Sequence, residues 1–85
     1  MIKILDFGAD WCPSCKVLKP VVEEFASEND NVEVEFINVD QDAASAAKYK
    51  VRSLPTLIFL SEDEEVHRSL GAKTKSELAE IVSSI

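Results

Sequence analysis

The chain has 85 residues, room for one domain and not two, and 46% of them are hydrophobic, enough to build a core and to exclude a disordered chain. Its formal net charge of −7 excludes a nucleic-acid partner, because binding a phosphate backbone needs a surplus of lysine and arginine. No apolar run approaches the length of about 18 residues that a membrane-spanning helix needs, so no membrane association is expected.

The chain opens on Met1-Ile2-Lys3-Ile4-Leu5-Asp6, which lacks the basic region, long apolar stretch and cleavage site of a signal peptide; a cytoplasmic location is expected. Residues 2–7 are a short apolar run with β-branched side chains and are predicted as a strand. Val17, Leu18, Val21, Val22, Phe25 and Ala26 recur at helical spacing, which predicts a helix from about residue 12 to residue 28. Pro20 lies inside it, removes one backbone donor and is expected to kink it. Asn29-Asp30-Asn31 is a polar break, and residues 32–39 are the next strand. Glu33 and Glu35 on that strand suit an exposed edge that must not pair with other chains.

Asp42 stands where it can cap a short helix over residues 43–50, whose alanines suit close packing. Residues 56–60 read as an apolar strand, 61–64 as a polar turn, and 65–70 as a weaker strand ending at Gly71. Thr74-Lys75-Ser76-Glu77 fits a capping box, and Leu78, Ile81, Val82 and Ile85 form one apolar helical stripe behind it. The order β-α-β-α-β-β-α predicts one α/β domain over residues 1–85, a sandwich with helices on both faces of a four-stranded mixed sheet. The first two strands, joined through a helix, should be parallel with a right-handed crossover, and the last two, joined by a short turn, antiparallel.

The chemistry is concentrated in Trp11-Cys12-Pro13-Ser14-Cys15, after a strand and at a helix start. A disulfide breaks when a thiolate attacks one of its sulfurs, and a free thiol is mostly protonated at neutral pH. A helix N-terminus offers unpaired N–H groups and a positive dipole end, so Cys12 is placed to be the attacking thiolate. The spacing of three puts Cys15 one turn away, where it can resolve a mixed disulfide on Cys12. Pro13 falls near the first helical position, where a missing donor costs nothing. Alone, the pair also fits an inert buried pair or half of a zinc site; zinc needs two further ligands, and His67 is the only other Cys or His in the chain.

Several segments then resemble the thioredoxin family in order over nearly the whole chain. They are Asp6-Phe7-Gly8-Ala9-Asp10-Trp11-Cys12, Cys15-Lys16 with Pro20, Asn38-Val39-Asp40, Val51-Arg52-Ser53-Leu54-Pro55-Thr56, and Gly71-Ala72. The resemblance implies a thioredoxin-like fold with Pro55 in cis and facing the cysteines. It implies a substrate groove from Trp11, Leu54, Pro55, Gly71 and Ala72, and a buried Asp6 that shuttles a proton for Cys15. The implied activity is protein-disulfide reduction by a monomer without a cofactor, acting on disulfide-containing proteins and recharged by a separate reductase. The chain looks like a minimal version, without the extra N-terminal strand and helix of longer members.

It departs from the family pattern at three places. Pro13-Ser14 stands between the cysteines where Gly-Pro is common, and glutaredoxins also use Cys-Pro-x-Cys. Gly8 replaces an aromatic residue, and Phe36 replaces a lysine that often neighbours the buried acid. Ser14 can bond a Cys12 thiolate and Phe36 should desolvate Asp6; both favour the reduced form and a less negative potential. Trp11 is expected as a partly exposed groove wall, Lys16 and Lys19 as solvated helix residues, and His67 as a strand surface residue. The alternatives are a glutaredoxin-like protein recharged by glutathione and a non-catalytic binding subunit with the same fold.

Overall fold

Alternation along β1 (Ile2–Gly8) divides the interior into two apolar cores, one on each face of the sheet. The computed structural model describes residues 1–85. The elements that follow are α1 (Pro13–Glu28), β2 (Val32–Asn38), α2 (Ala43–Lys48), β3 (Thr56–Ser61), β4 (Glu64–Leu70) and α3 (Lys75–Ser83). The sheet order is β2-β1-β3-β4. β1 and β2 are parallel, while β1 with β3 and β3 with β4 are antiparallel. The central strands β1 and β3 are covered on both faces, which is why each reads as an almost unbroken apolar run. Glu33 and Glu35 lie exposed on the edge strand β2, as expected, and Glu35 pairs with Lys3 at 2.9 Å.

On one face, Ile2 and Ile4 of β1 and Leu57 and Phe59 of β3 pack against Leu18, Val22 and Phe25 of α1 and Leu78 of α3. On the other, Leu5, Phe7, Ile37, Ile58 and Leu60 are covered by Tyr49, Val51 and Leu54, with the Tyr49 ring 5.8 Å from that of Phe7. α1 runs on through Pro20 to Asn29, whose side chain donates to the Phe25 carbonyl at 2.8 Å and ends the helix. The capping box of α3 forms as read, with Thr74 and Glu77 exchanging bonds of 3.0 and 3.2 Å.

Four expectations are corrected. Val17 lies off the packed stripe and is 65% exposed. Ile85 lies past the end of α3 and is 44% exposed. α2 stops at Lys48 and buries none of its residues; its alanines serve helix formation, and the neighbouring Tyr49 and Val51 cover the sheet in their place. The β3–β4 turn is also tighter than expected, with Glu62 and Asp63 both at positive φ between strands that run to Ser61 and from Glu64.

Candidate active site

β1 delivers the chain to Ala9, Asp10 and Trp11, and Cys12 then caps α1 with extended φ and ψ of −99° and 105°. Pro13 takes the first helical position, where its missing N–H is not needed. The Cys12 sulfur does what a capping oxygen does elsewhere: it accepts the Cys15 backbone N–H at 3.3 Å. The Ser14 hydroxyl lies 3.5 Å from the same sulfur. The two sulfurs are bonded to each other, with Cα atoms 5.3 Å apart, inside the span a disulfide bridges. In this oxidised state both cysteines are buried alike, at 6% and 7% exposure, so exposure does not distinguish them. Their positions do: Cys12 Sγ sits at the free N–H groups of the helix, while Cys15 lies one turn in, against Gly8.

Asp6 points to the α1 face of β1 and is 4% exposed. Burial pushes its carboxyl up from the ordinary 3.8 to about 6, and the Lys19 charge partly opposes that. Its register partner on β2 is Phe36, an apolar neighbour where it could have had a polar one. Asp6 and Cys15 line one pocket of about 390 Å³, together with Gly8, Lys16, Lys19 and Phe36. Gly8 helps leave that space open, since a Cβ built there would lie 3.3 Å from the Cys15 sulfur.

A second segment closes on the cysteines from the β3 side. Leu54 packs against the cluster of Ala9, Cys12 and Cys15, and the Leu54–Pro55 bond is cis, as expected. Thr56 Oγ1 donates to the Ser53 carbonyl at 2.6 Å, and the Gly71 N–H donates to the Pro55 carbonyl at 2.9 Å. The second bond ties the end of β4 to the proline loop, with Gly71 at φ +81°, a conformation that favours glycine. Ala72 follows it, exposed.

Trp11 is 67% exposed and anchored from another quarter. Its Nε1 donates to Asp40 Oδ2 at 2.8 Å, Asp40 N donates to Asn38 Oδ1 at 2.9 Å, and Asn38 Nδ2 reaches Asp10 Oδ1 at 3.4 Å. Sequence reasoning used Asn38 and Asp40 only as landmarks and did not assign them this anchoring role. His67 stays on the surface of β4 with its ring edge-on to Phe59. No group of three or more His, Cys, Asp or Glu is gathered to hold a metal ion.

A cysteine pair at a helix N-terminus, a buried acid beside it and a cis proline following the leucine that packs on it form one connected site. The thioredoxin family model matches residues 1–84, which covers every part of it. The chain belongs to the thioredoxin family. It is 40% identical over 82 residues to a thioredoxin of Staphylococcus epidermidis, covering 95% of this chain and 79% of the relative. It is 40% identical over 80 residues to a thioredoxin of Chlamydia trachomatis, covering 94% and 78%. Among solved structures, Fasciola hepatica thioredoxin matches with a TM-score of 0.90 at 37% identity, covering 98% of this chain and 79% of that one. Family and cysteine pair together make this protein a thiol–disulfide oxidoreductase.

Proposed function

We propose that this thioredoxin reduces protein disulfides with Cys12 as the attacking thiol, Cys15 as the resolving thiol and Asp6 as the proton acceptor for Cys15. The observation that carries the reading is the asymmetry of the pair: the Cys12 sulfur accepts a helix N–H, while Cys15 shares its pocket with the buried Asp6.

In the dithiol form, the Cys12 thiolate is stabilised by the N–H groups and dipole of α1. It attacks one sulfur of a substrate disulfide, forms a mixed disulfide and expels the other substrate sulfur as a thiolate. The Cys15 thiol passes its proton to Asp6, and the resulting thiolate attacks Cys12 Sγ. The Cys12–Cys15 disulfide forms and the second substrate sulfur leaves as a thiolate; two electrons have gone to the substrate, whose two thiolates take one proton back from Asp6 and one from water. A carboxyl held near 6 suits this exchange, because it both takes and returns a proton close to neutrality.

The substrate chain is held by Leu54, Pro55, Gly71 and Ala72 on one side of the cysteines and by Trp11 on the other. Leu54 and exposed Trp11 give the groove its apolar grip, and the fixed Pro55–Gly71 bond gives it a rigid floor. The protein acts as a monomer in the cytoplasm, a compartment that keeps such a dithiol reduced, and a separate reductase returns it to the dithiol.

Two variants test the roles. Cys12→Ser should abolish turnover, and Cys15→Ser should accumulate mixed disulfides with substrate proteins. A Cys15→Ser protein that traps none while Cys12→Ser still turns over would reverse the assignment. Supplying a thioredoxin reductase or glutathione as sole electron source identifies the recharging partner, and turnover with glutathione alone would favour the glutaredoxin-like alternative.

A further inference from the structure

The groups that face Asp6 come from two strands, one helix and one loop. β3 offers its register partner Leu57, β2 offers Phe36 and Asn38, and neither of these strands presents a charge to the carboxyl. Glu35 and Ile37 alternate to the other face of β2, where Glu35 is taken up by Lys3. α1 offers Cys15, Lys16 and Lys19, and the loop after β1 adds Asp10 at the pocket wall. The cations available to a buried carboxylate are therefore both on α1, three residues apart.

Only one of them is held in place. Lys19 Nζ lies 4.9 Å from the centre of the Phe36 ring, a cation–π contact across the α1–β2 interface. Phe36 is the register neighbour of Asp6 on the same face of the sheet, so a cation fixed over that ring is fixed beside the carboxyl. A lysine on a helix surface otherwise spends its flexibility in solvent, and much of its field with it. Phe36 thus has two effects of opposite sign: it removes water from Asp6, and it retains the charge that offsets the loss.

We propose that Lys19 is a positioning residue for the thiol chemistry, its ammonium clamped over the Phe36 ring to serve as the counter-charge that lets Asp6 give up its proton in the pocket it shares with Cys15. The opposing effect of the Lys19 charge on the raised carboxyl agrees with this assignment. The proposal rests on Asp6 acting as proton acceptor for its consequence in turnover, although the clamp itself exists independently of that role.

The test follows the Asp6 carboxyl by NMR through a pH titration of the protein, alongside the pH profile of the resolving step in single-turnover kinetics. Lys19→Met should raise the Asp6 midpoint by about 1 pH unit, the lower end of what losing a nearby opposite charge does. The acid limb of the resolving-step profile should move up with it. Lys19→Arg should restore both. In a Phe36→Leu background, which keeps an apolar cover but removes the ring, Lys19→Met should move the midpoint by less than half as much.

An Asp6 midpoint unmoved by Lys19→Met, or moved further by Lys16→Met, would overturn the assignment to Lys19. A shift of full size in the Phe36→Leu background would overturn the clamp. The proton-acceptor reading fails by a separate sign: Asp6→Asn that leaves the resolving rate and its pH profile unchanged. All these side chains except Asp6 are at the surface, so the variants test charge and ring without emptying the core.

Discussion

Gly8 and Cys15 face each other so closely that a Cβ on Gly8 would stand 3.2 Å from the Cys15 Cβ and 3.3 Å from its sulfur. Neither atom can retreat easily, because Cys15 is tied into the first turn of α1 and Gly8 into β1. Gly8→Ala is expected to destabilise the fold by about 1 kcal/mol, the small end of the cost of overpacking. It should also slow the attack of Cys15 on a mixed disulfide, because it crowds the sulfur that must move. Urea unfolding and single-turnover kinetics measure the two. An unchanged Cys15 rate in a destabilised protein would mean that the helix shifts as a body and the pocket is not used.

Ser14 offers its hydroxyl to the Cys12 sulfur at 3.5 Å. A donor there stabilises the thiolate and, through it, the dithiol form. One hydrogen bond contributes about 0.5–1.5 kcal/mol, which for a two-electron couple is about 10–30 mV. Ser14→Ala is therefore expected to make the potential more negative by that amount and to raise the Cys12 thiol pKa. Equilibration with a dithiothreitol buffer reads the first and the thiolate absorbance reads the second. A potential that stays put or becomes less negative would show that the hydroxyl turns elsewhere in the dithiol.

The bond from Trp11 to Asp40, at 2.8 Å, orients an indole that is otherwise exposed. Asp40→Ala should free it. The expected result is a rise of about 3–10-fold in KM for protein substrates with little change in kcat, the equivalent of one hydrogen bond spent on holding the ring. Trp11 is the only tryptophan, so the fluorescence anisotropy of the protein should fall in the same variant. Equal anisotropy in both proteins would show that packing alone fixes the ring.

The parts of this site that were legible in the sequence are those encoded within a few residues. Cys12 and Cys15 share one helical turn, and the strand before them and Pro20 after them fix where that turn begins. The buried Asp6 and its neighbour Phe36, 30 positions apart, were legible only through the family resemblance, which gave the direction of the acid's proton affinity before the register was known. The element order followed from period-two and helical spacings, with ends off by one or two residues. Burial at the margins was less legible. Val17 adjoins the apolar stripe of α1 without lying on it, and the alanines of α2 favour a helix whether or not they are covered. The contacts that complete the site are tertiary. Trp11 meets Asp40 across 29 positions, and Lys19 meets Phe36 from a different element; neither spacing has a periodic signature.

The raised carboxyl of Asp6 makes stability depend on pH in a definite direction. Its value is about 6 in the folded protein against an ordinary 3.8, so the folded state holds this proton more tightly than the unfolded chain. Between those two values the folded state carries the extra proton, and stability falls as pH rises through the window. Above it the carboxylate is buried at a constant cost of about 2–3 kcal/mol, from roughly two pH units at 1.36 kcal/mol each. Asp6→Asn should remove that cost. The variant is expected to be more stable than the wild type by about this amount at pH 7, with the gap closing as the pH falls below about 4. Asp42, Glu65 and Glu77 have carboxyls held below their usual range by hydrogen bonds, and they pull the acid limb the other way. Both proteins share those three groups, so the difference between their urea-unfolding free energies from about pH 4 to pH 8 isolates Asp6. Parallel curves would mean that Asp6 titrates at its ordinary value in the folded protein. The expected divergence, combined with a slower resolving step in the same variant, would show that the acid is kept in the core for turnover at a net cost to the fold.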